Sequence, residues 1–335
     1  MNKFANMEEL AVALNLSRST VSYILNGKWQ ARHIRPETAK RVLDFAEKVN
    51  FTPSLFGRAL KGKICTDAAV FIPPRMYEHH RDTFFALLDL FEQQQLSYLV
   101  LPLRSGQHNN FTALQQLQTF KVSKVIVFAA TLNIEEISSW KQIMNSLPDV
   151  SFFLYDYRME YNLNNNFFSS NVSGVGFDRI EAFKLIIKHV AQRGYSKLFY
   201  RVPFYTDENT NEIANSFGIE LCGVEAESSW EDFIEQVERK IEKSSSFALF
   251  CQDDLQAIKL IELLQDHNIR IPEDLGVISW DGLKVSLHFS PIPETLAVPH
   301  AAMREEAKMF LGGKKGDFKI LSPIIRAGET LPTKN

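Results

Sequence analysis

Apolar residues recur at helical spacing in three short runs near the N-terminus of this 335-residue chain. Leu10, Ala13 and Leu14 mark the first run, and Val21, Ile24 and Leu25 the second. Asn15 stands where the first helix must stop, and asparagine tolerates the left-handed backbone such a stop often needs. Ser17 suits the N-cap of the second helix, and Ala11 is small where the two helices must approach closely. Turning Val21, Ile24 and Leu25 inward leaves Arg18, Ser19, Ser22 and Tyr23 facing out, side chains of the length and polarity that a helix in a DNA major groove uses. Residues 35–49 make a third helix, with Pro36 and Glu37 in its first turn and a stripe of Ala39, Val42, Leu43, Ala46 and Val49. An ordinary helical hairpin carries the same periodicity, so spacing alone leaves DNA binding open.

From residue 66 the pattern changes to short β runs alternating with amphipathic helices. Strands are predicted at Ala68–Ile72, Tyr98–Leu103, Lys124–Phe128, Ser151–Tyr155, Lys197–Arg201, Ser246–Phe250 and Gly276–Trp280, with helices at 82–96, 110–120, 134–146, 179–193, 230–243 and 253–268. Such alternation implies parallel sheets covered by helices. The rhythm restarts near residue 163, after which polar, turn-rich stretches at 162–166 and 169–173 suit a crossover between two lobes.

Charge divides the chain as well. Residues 1–63 hold eleven Lys and Arg against five Asp and Glu, a net of +6; with −3 for the whole chain, residues 64–335 carry −9. A basic head on an acidic body is the footprint expected when only the head meets phosphate. Cys65, Cys222 and Cys251 are few and scattered and read as reduced thiols. His79 and His80 are adjacent, so on a regular element they should point apart, which argues against a metal site. The first twenty residues hold no uninterrupted apolar run, and no stretch is long enough to cross a membrane; a cytoplasmic protein without membrane attachment is expected.

These residues carry a family resemblance. Leu14, Ser17, Thr20, Val21, Ser22, Leu25 and Asn26, followed by the third helix and by Asn50, Phe51, Pro53, Arg58 and Leu60, resemble the DNA-binding head and hinge of the LacI/GalR family of bacterial transcription repressors. The body is similar too: Asp178, Ala182, His189 and Gly194-Tyr195, then Ile271 to Asp281, Ser290 to Pro299, and Ile325 to Thr330 match family blocks. The resemblance implies an all-α helix-turn-helix head at 1–50, a hinge at 51–63, and an α/β two-lobed, periplasmic-binding-protein-like (type I) effector domain at 64–335. Its lobes are expected at about 64–162 with 293–322, and 163–292 with 323–335.

By that resemblance the protein is a homodimer on palindromic operator DNA, a repressor whose affinity responds to a carbohydrate or related ligand held between the lobes, with no cofactor. Arg18, Ser19 and Tyr23 are expected to read base edges, where a good bidentate pair is worth about 1–3 kcal/mol. Thr20, Ser22 and Asn26 are expected to hold phosphates. In the hinge, Arg58, Ala59 and Leu60 enter the minor groove, with Leu60 as the wedge; Gly57, where the family has alanine, costs the hinge helix roughly 1 kcal/mol. Phe84, Asp156, Arg201, Asp253 and Asp281 are the effector candidates. A helix N-cap for Asp253, a turn for Asp281 and simple core packing for Phe84 compete with those roles. Departures at Tyr23, in the loop Gly27 to Ile34 and at Val202 to Gly223 leave operator and effector open. A transport receptor of the same architecture lacks a basic head, and none of the G-x-S-x-G, H-E-x-x-H or G-x-x-x-x-G-K-[ST] elements of an enzyme occurs.

Overall fold

The computed structural model describes residues 6–25, 27–49, 51, 66–74, 76–103, 107–161, 167–202, 208–225, 230–241, 247–313 and 317–333. They fall into two compact units, one of residues 1–67 with 115–122, the other of 68–114 with 123–335.

The N-terminal helices are α1 (Met7–Ala13), α2 (Arg18–Leu25) and α3 (Pro36–Lys48). Asn6 caps α1 by accepting from the amides of Glu8 and Glu9, and Asn15 takes the left-handed turn (φ 51°). Ser17 Oγ then accepts from the Thr20 amide at 3.1 Å, satisfying an otherwise orphaned donor of α2. Leu10, Ala11, Leu14, Val21, Ile24, Ala39, Val42 and Ala46 form one core. Phe51 joins it and its amide donates to the Ala46 carbonyl, so the head extends one residue past the expected boundary at 50. Ala13 and Leu43 lie outside this core: the apolar stripe is narrower than the periodicity suggested, because Ala11 and Ala39 let the helices close in.

The body is built on two six-stranded sheets. The first comprises β1 (Thr66–Ile72), β2 (Tyr98–Pro102), β3 (Val122–Phe128), β4 (Ser151–Arg158), β5 (Val172–Phe177) and β11 (Phe318–Ile320), ordered β11-β5-β4-β3-β1-β2. The second comprises β6 (Lys197–Val202), β7 (Glu220–Glu225), β8 (Phe247–Phe250), β9 (Gly276–Asp281), β10 (Glu294–Ala297) and β12 (Ile324–Arg326), ordered β12-β10-β9-β8-β6-β7. Only the β10–β12 pair is antiparallel among the registers described. Each lobe thus has one order, a second strand outside the first and the rest stacked on the other side. That arrangement leaves a switch point, where the carboxyl ends of strands open to ligand.

The helices of the body are α4 (Glu78–Gln93), α5 (Gln107–Phe120), α6 (Ile134–Ser146), α7 (Arg179–Gln192), α8 (Glu208–Ser216), α9 (Trp230–Ile241), α10 (Asp254–Asp266) and α11 (His300–Leu311). Strand pairing moves the lobe boundaries expected from sequence. The division near 163 falls instead after β5, because Phe152 to Tyr155 pair with Val172 to Val175. Residues 294–297 stay in the second lobe because β10 pairs with β9. The chain then crosses into α11, which packs on β4 and β5, adds β11 to the first sheet and returns as β12.

A bulge interrupts β4 and β5. Tyr155 pairs with Val175 and Tyr157 with Gly176, so Asp156 is the extra residue, at φ 56°. A Cβ on Gly176 would lie 1.8 Å from the Tyr157 carbonyl oxygen. Glycine there is what lets the two backbones close around the bulge.

Candidate functional site

The cleft between the two sheets has a volume of about 390 Å³. Its floor consists of strand ends: Asp156 and Phe177 close the first sheet, and Trp280 and Asp281 the second. Arg179 at the start of α7 and His300 at the start of α11 stand where the chain crosses between lobes. Phe177 and Trp280 face each other across it with ring centroids 5.8 Å apart. Both floor carboxylates sit on left-handed backbone, Asp281 at φ 102°. Non-glycine residues held there are uncommon and gather at functional sites.

Asp156 is a hub. Its Oδ1 accepts from Arg179 Nη2 at 2.8 Å and its Oδ2 lies 2.9 Å from His80 Nε2, with all three side chains buried. Burial alone would raise the Asp156 pKa, but the Arg179 guanidinium and then the two histidines outweigh it and hold the carboxyl well below its usual range. Both oxygens are engaged, so Asp156 positions neighbours and has little capacity left for a ligand hydroxyl.

His79 and His80 do not point apart. On the first turn of α4 both turn into the cleft wall, with ring centroids 4.2 Å apart. His79 lies 3.6 Å from Asp156 and 3.7 Å from Asp281, bridging a carboxylate of each lobe. Burial opposes charge on His79, yet the two carboxylates prevail and lift its pKa to about 9. His80 is pushed down by burial and by the charge of His79, and His300 falls to about 3 for the same reasons. Tyr77, His79 and His300 stack nearly parallel, with interplanar angles of 3° and 15°.

The structure sorts the remaining effector candidates. Asp253 lines the cleft and also caps α10, accepting from the Gln256 amide and from Gln256 Nε2. Phe84 is half-buried against the lobe core rather than among the lining residues, so core packing describes it. The side chain of Arg201 lies outside the described residues. His79, His300, Arg158, Arg179 and Trp280 line the cleft without having been among the effector candidates from sequence.

In the head, Arg18 and Ser19 are exposed, and Thr20, Ser22 and Tyr23 half-exposed. Arg18 pairs loosely with Glu8 at 3.5 Å, a contact that solvent leaves easily exchanged for another partner. Arg32, from the loop after α2, lies over the Tyr23 ring at 4.7 Å and fixes its plane. Asn26, Arg58, Ala59 and Leu60 lie outside the described residues.

Residues 188–307 match the model of a periplasmic binding protein-like domain. Two solved folds extend the likeness to nearly the whole chain. The lac repressor dimer bound to operator and an anti-inducer superposes with a TM-score of 0.70 over 98% of this chain and all of that one, at 16% identity. A LacI-family regulator from Silicibacter pomeroyi gives 0.72 with the same coverage, at 15% identity. Among sequences, the HTH-type transcriptional repressor PurR of Mannheimia succiniciproducens is 21% identical over 92% of this chain and 91% of its own. The NTD biosynthesis operon regulator NtdR of Bacillus subtilis is 23% identical over 98% and 97%.

The chain is similar to LacI-family transcriptional regulators in fold, and in sequence over nearly its whole length to repressors and operon regulators.

These relatives are transcriptional regulators, not enzymes. On the floor of this cleft three imidazoles and two carboxylates meet where the lobes join. Among the described residues no helix is long and apolar enough to cross a membrane.

Proposed function

We propose that this chain is a repressor that binds a palindromic operator as a homodimer, its affinity set by a small carbohydrate or derivative in the cleft. The observation that carries the reading is the pair of equivalent sheets presenting their carboxyl strand ends to one polar, aromatic-walled cleft, in a chain that begins with a capped helix-turn-helix. Ligand in such a cleft shifts a two-state closure only by its differential affinity for the two states. The solved relatives support this class of ligand and target: one has operator bound to its dimer, and another, from Weissella paramesenteroides, has bound glucose (TM-score 0.61). Phe177 and Trp280 offer stacking faces, Asp253 and Asp281 accept hydroxyls, and Arg158 and Arg179 suit an acidic substituent. Arg18, Ser19 and Tyr23 read bases in this account, Thr20, Ser22 and Asn26 hold phosphates, and Arg58, Ala59 and Leu60 enter the minor groove.

The test is selection of bound sequences from a random DNA pool by full-length protein at fixed salt, with and without a metabolite mixture. A palindromic site with a central pyrimidine–purine step is expected. No enrichment in either arm rejects the reading. On the selected site, Leu60→Ala should weaken specific binding about tenfold or more (~1.4 kcal/mol), leaving nonspecific binding intact. Unchanged operator affinity by fluorescence anisotropy removes Leu60 from the wedge role.

A further inference from the structure

We infer that Arg32 is a specificity-determining residue of the DNA-binding head: it holds the Tyr23 ring in one orientation, and the two side chains meet the operator as one stacked unit. The inference deepens the regulator reading and rests on it. The sequence departs from the LacI/GalR pattern at Tyr23 and in the loop Gly27 to Ile34, and the structure brings those two departures into contact. The guanidinium carbon of Arg32 lies 4.7 Å from the centroid of the Tyr23 ring.

The loop is built so as to place Arg32 there. It turns away from α2 at once: the Lys28 amide donates to the Tyr23 carbonyl at 2.8 Å, and Gly27 takes left-handed backbone (φ 68°). Gln30–Arg32 then form a short 3-10 helix. The Arg32 and Ile34 amides both donate to the Trp29 carbonyl, at 3.2 and 3.0 Å, and His33 bends the chain back at φ 52°. Trp29 and Ile34, on either side of that turn, pack against the core of the head. The backbone of Arg32 is thereby anchored, while its side chain stays exposed.

On α2, Tyr23 stands one turn beyond Ser19, on the outward face assigned to base contacts. A tyrosine side chain turns about two bonds, and each rotamer aims the phenol hydroxyl at a different base edge. A cation over the ring face favours one of those rotamers before DNA arrives, which lowers the ordering cost of the contact. Arginine suits the task because its planar guanidinium stacks on an aromatic ring and still presents an N–H edge outward. Among the described residues Arg18 is paired with Glu8, whereas Arg32 has no carboxylate partner to draw it off the ring.

The test compares full-length wild type with Arg32→Ala, Arg32→Lys, Tyr23→Ala and the double variant Arg32→Ala/Tyr23→Ala. Each passes through the random-pool selection, and binding is then measured by anisotropy on the selected operator and its single-base variants. Arg32→Ala should melt like wild type. It should reduce discrimination roughly two- to fivefold at the base pairs that Tyr23→Ala also relaxes, and leave the other positions alone. Arg32→Lys should keep the salt dependence of binding and lose most of that discrimination. Once Tyr23→Ala is present, adding Arg32→Ala should change no base preference. Equal weakening on every sequence would make Arg32 a phosphate contact and overturn the inference. So would unchanged preferences in Arg32→Ala, or relaxation at positions that Tyr23→Ala leaves alone. In those cases wild type still enriches a site and the regulator reading stands; if wild type enriches none, both fall.

Discussion

Gly176→Ala is expected to lower the unfolding free energy by about 3 kcal/mol or more, far beyond an ordinary glycine-to-alanine exchange in a strand. The new methyl group would sit 1.8 Å from the Tyr157 oxygen and 2.7 Å from its carbonyl carbon, so backbone and not a side-chain tip must move. The only relief is to part β4 from β5 at the bulge, and the bulge is what turns Asp156 into the cleft. Denaturant unfolding should therefore show lost stability, and the variant should also lose the fixed Arg179–Asp156–His80 arrangement. Gly218→Ala is the control. A Cβ there meets nothing within 4 Å and only the left-handed backbone (φ 72°) resists it, a cost of about 1–2 kcal/mol. Equal losses for the two variants would show that the strands relax freely and that the bulge does not depend on glycine.

Asp254→Ala should cost a similar amount, about 3–5 kcal/mol, by a different route. Asp254 is fully buried. Its Oδ1 accepts from Ser279 Oγ at 2.6 Å and Thr295 Oγ1 at 2.7 Å, and its Oδ2 from the Leu283 amide at 2.6 Å and Ser286 Oγ at 3.0 Å. Arg326 Nη2 approaches to 3.6 Å. One carboxylate thus gathers β9, β10, β12 and the turn after Asp281. Removing it strands the Leu283 amide and leaves Arg326 near no compensating charge. Ser279 and Ser286 can turn to the Glu294 and Leu283 carbonyls they already touch, which limits the loss. Asp254→Asn keeps one acceptor oxygen but aims an amine at a donor pair, and should fall between. Thermal melting of the three proteins checks the order; wild-type stability in Asp254→Ala would exclude this hub role.

Adjacent aspartates show where the sequence was legible and where it was not. Asp253 was visible both as an effector candidate and as a helix cap; it caps α10 and also lines the cleft. Asp254 carried no periodic signal, because its partners lie 25 to 41 residues away. The capped helices of the head and the β8, β9 and α10 segments were readable because local spacing and turn chemistry dictate them. Strand β5 was not: Gly174 and Gly176 are poor strand formers, and the reasons for them lie in neighbouring strands, the bulge beside Gly176 and the Leu154 backbone and Phe318 ring against Gly174. β10 and β12 were too short to stand out, which displaced the expected lobe boundaries. His79 and His80 were misread because adjacency was taken for opposition. On a helix the two are about 100° apart, and at a buried first turn both can face inward.

The interleaved path of the last forty residues has a consequence for synthesis. Sheet one waits for β11, and sheet two for β10, β12 and the Thr330–Leu331 strap, where the Thr330 hydroxyl donates to the Val277 carbonyl and accepts from the Glu294 amide. Neither lobe can complete its edge while the ribosome still holds residues 318–331. The head, whose core closes by Phe51, is available to form long before. A nascent chain therefore holds every residue of the head core while both sheets still lack strands, and the two lobes are completed together at the end.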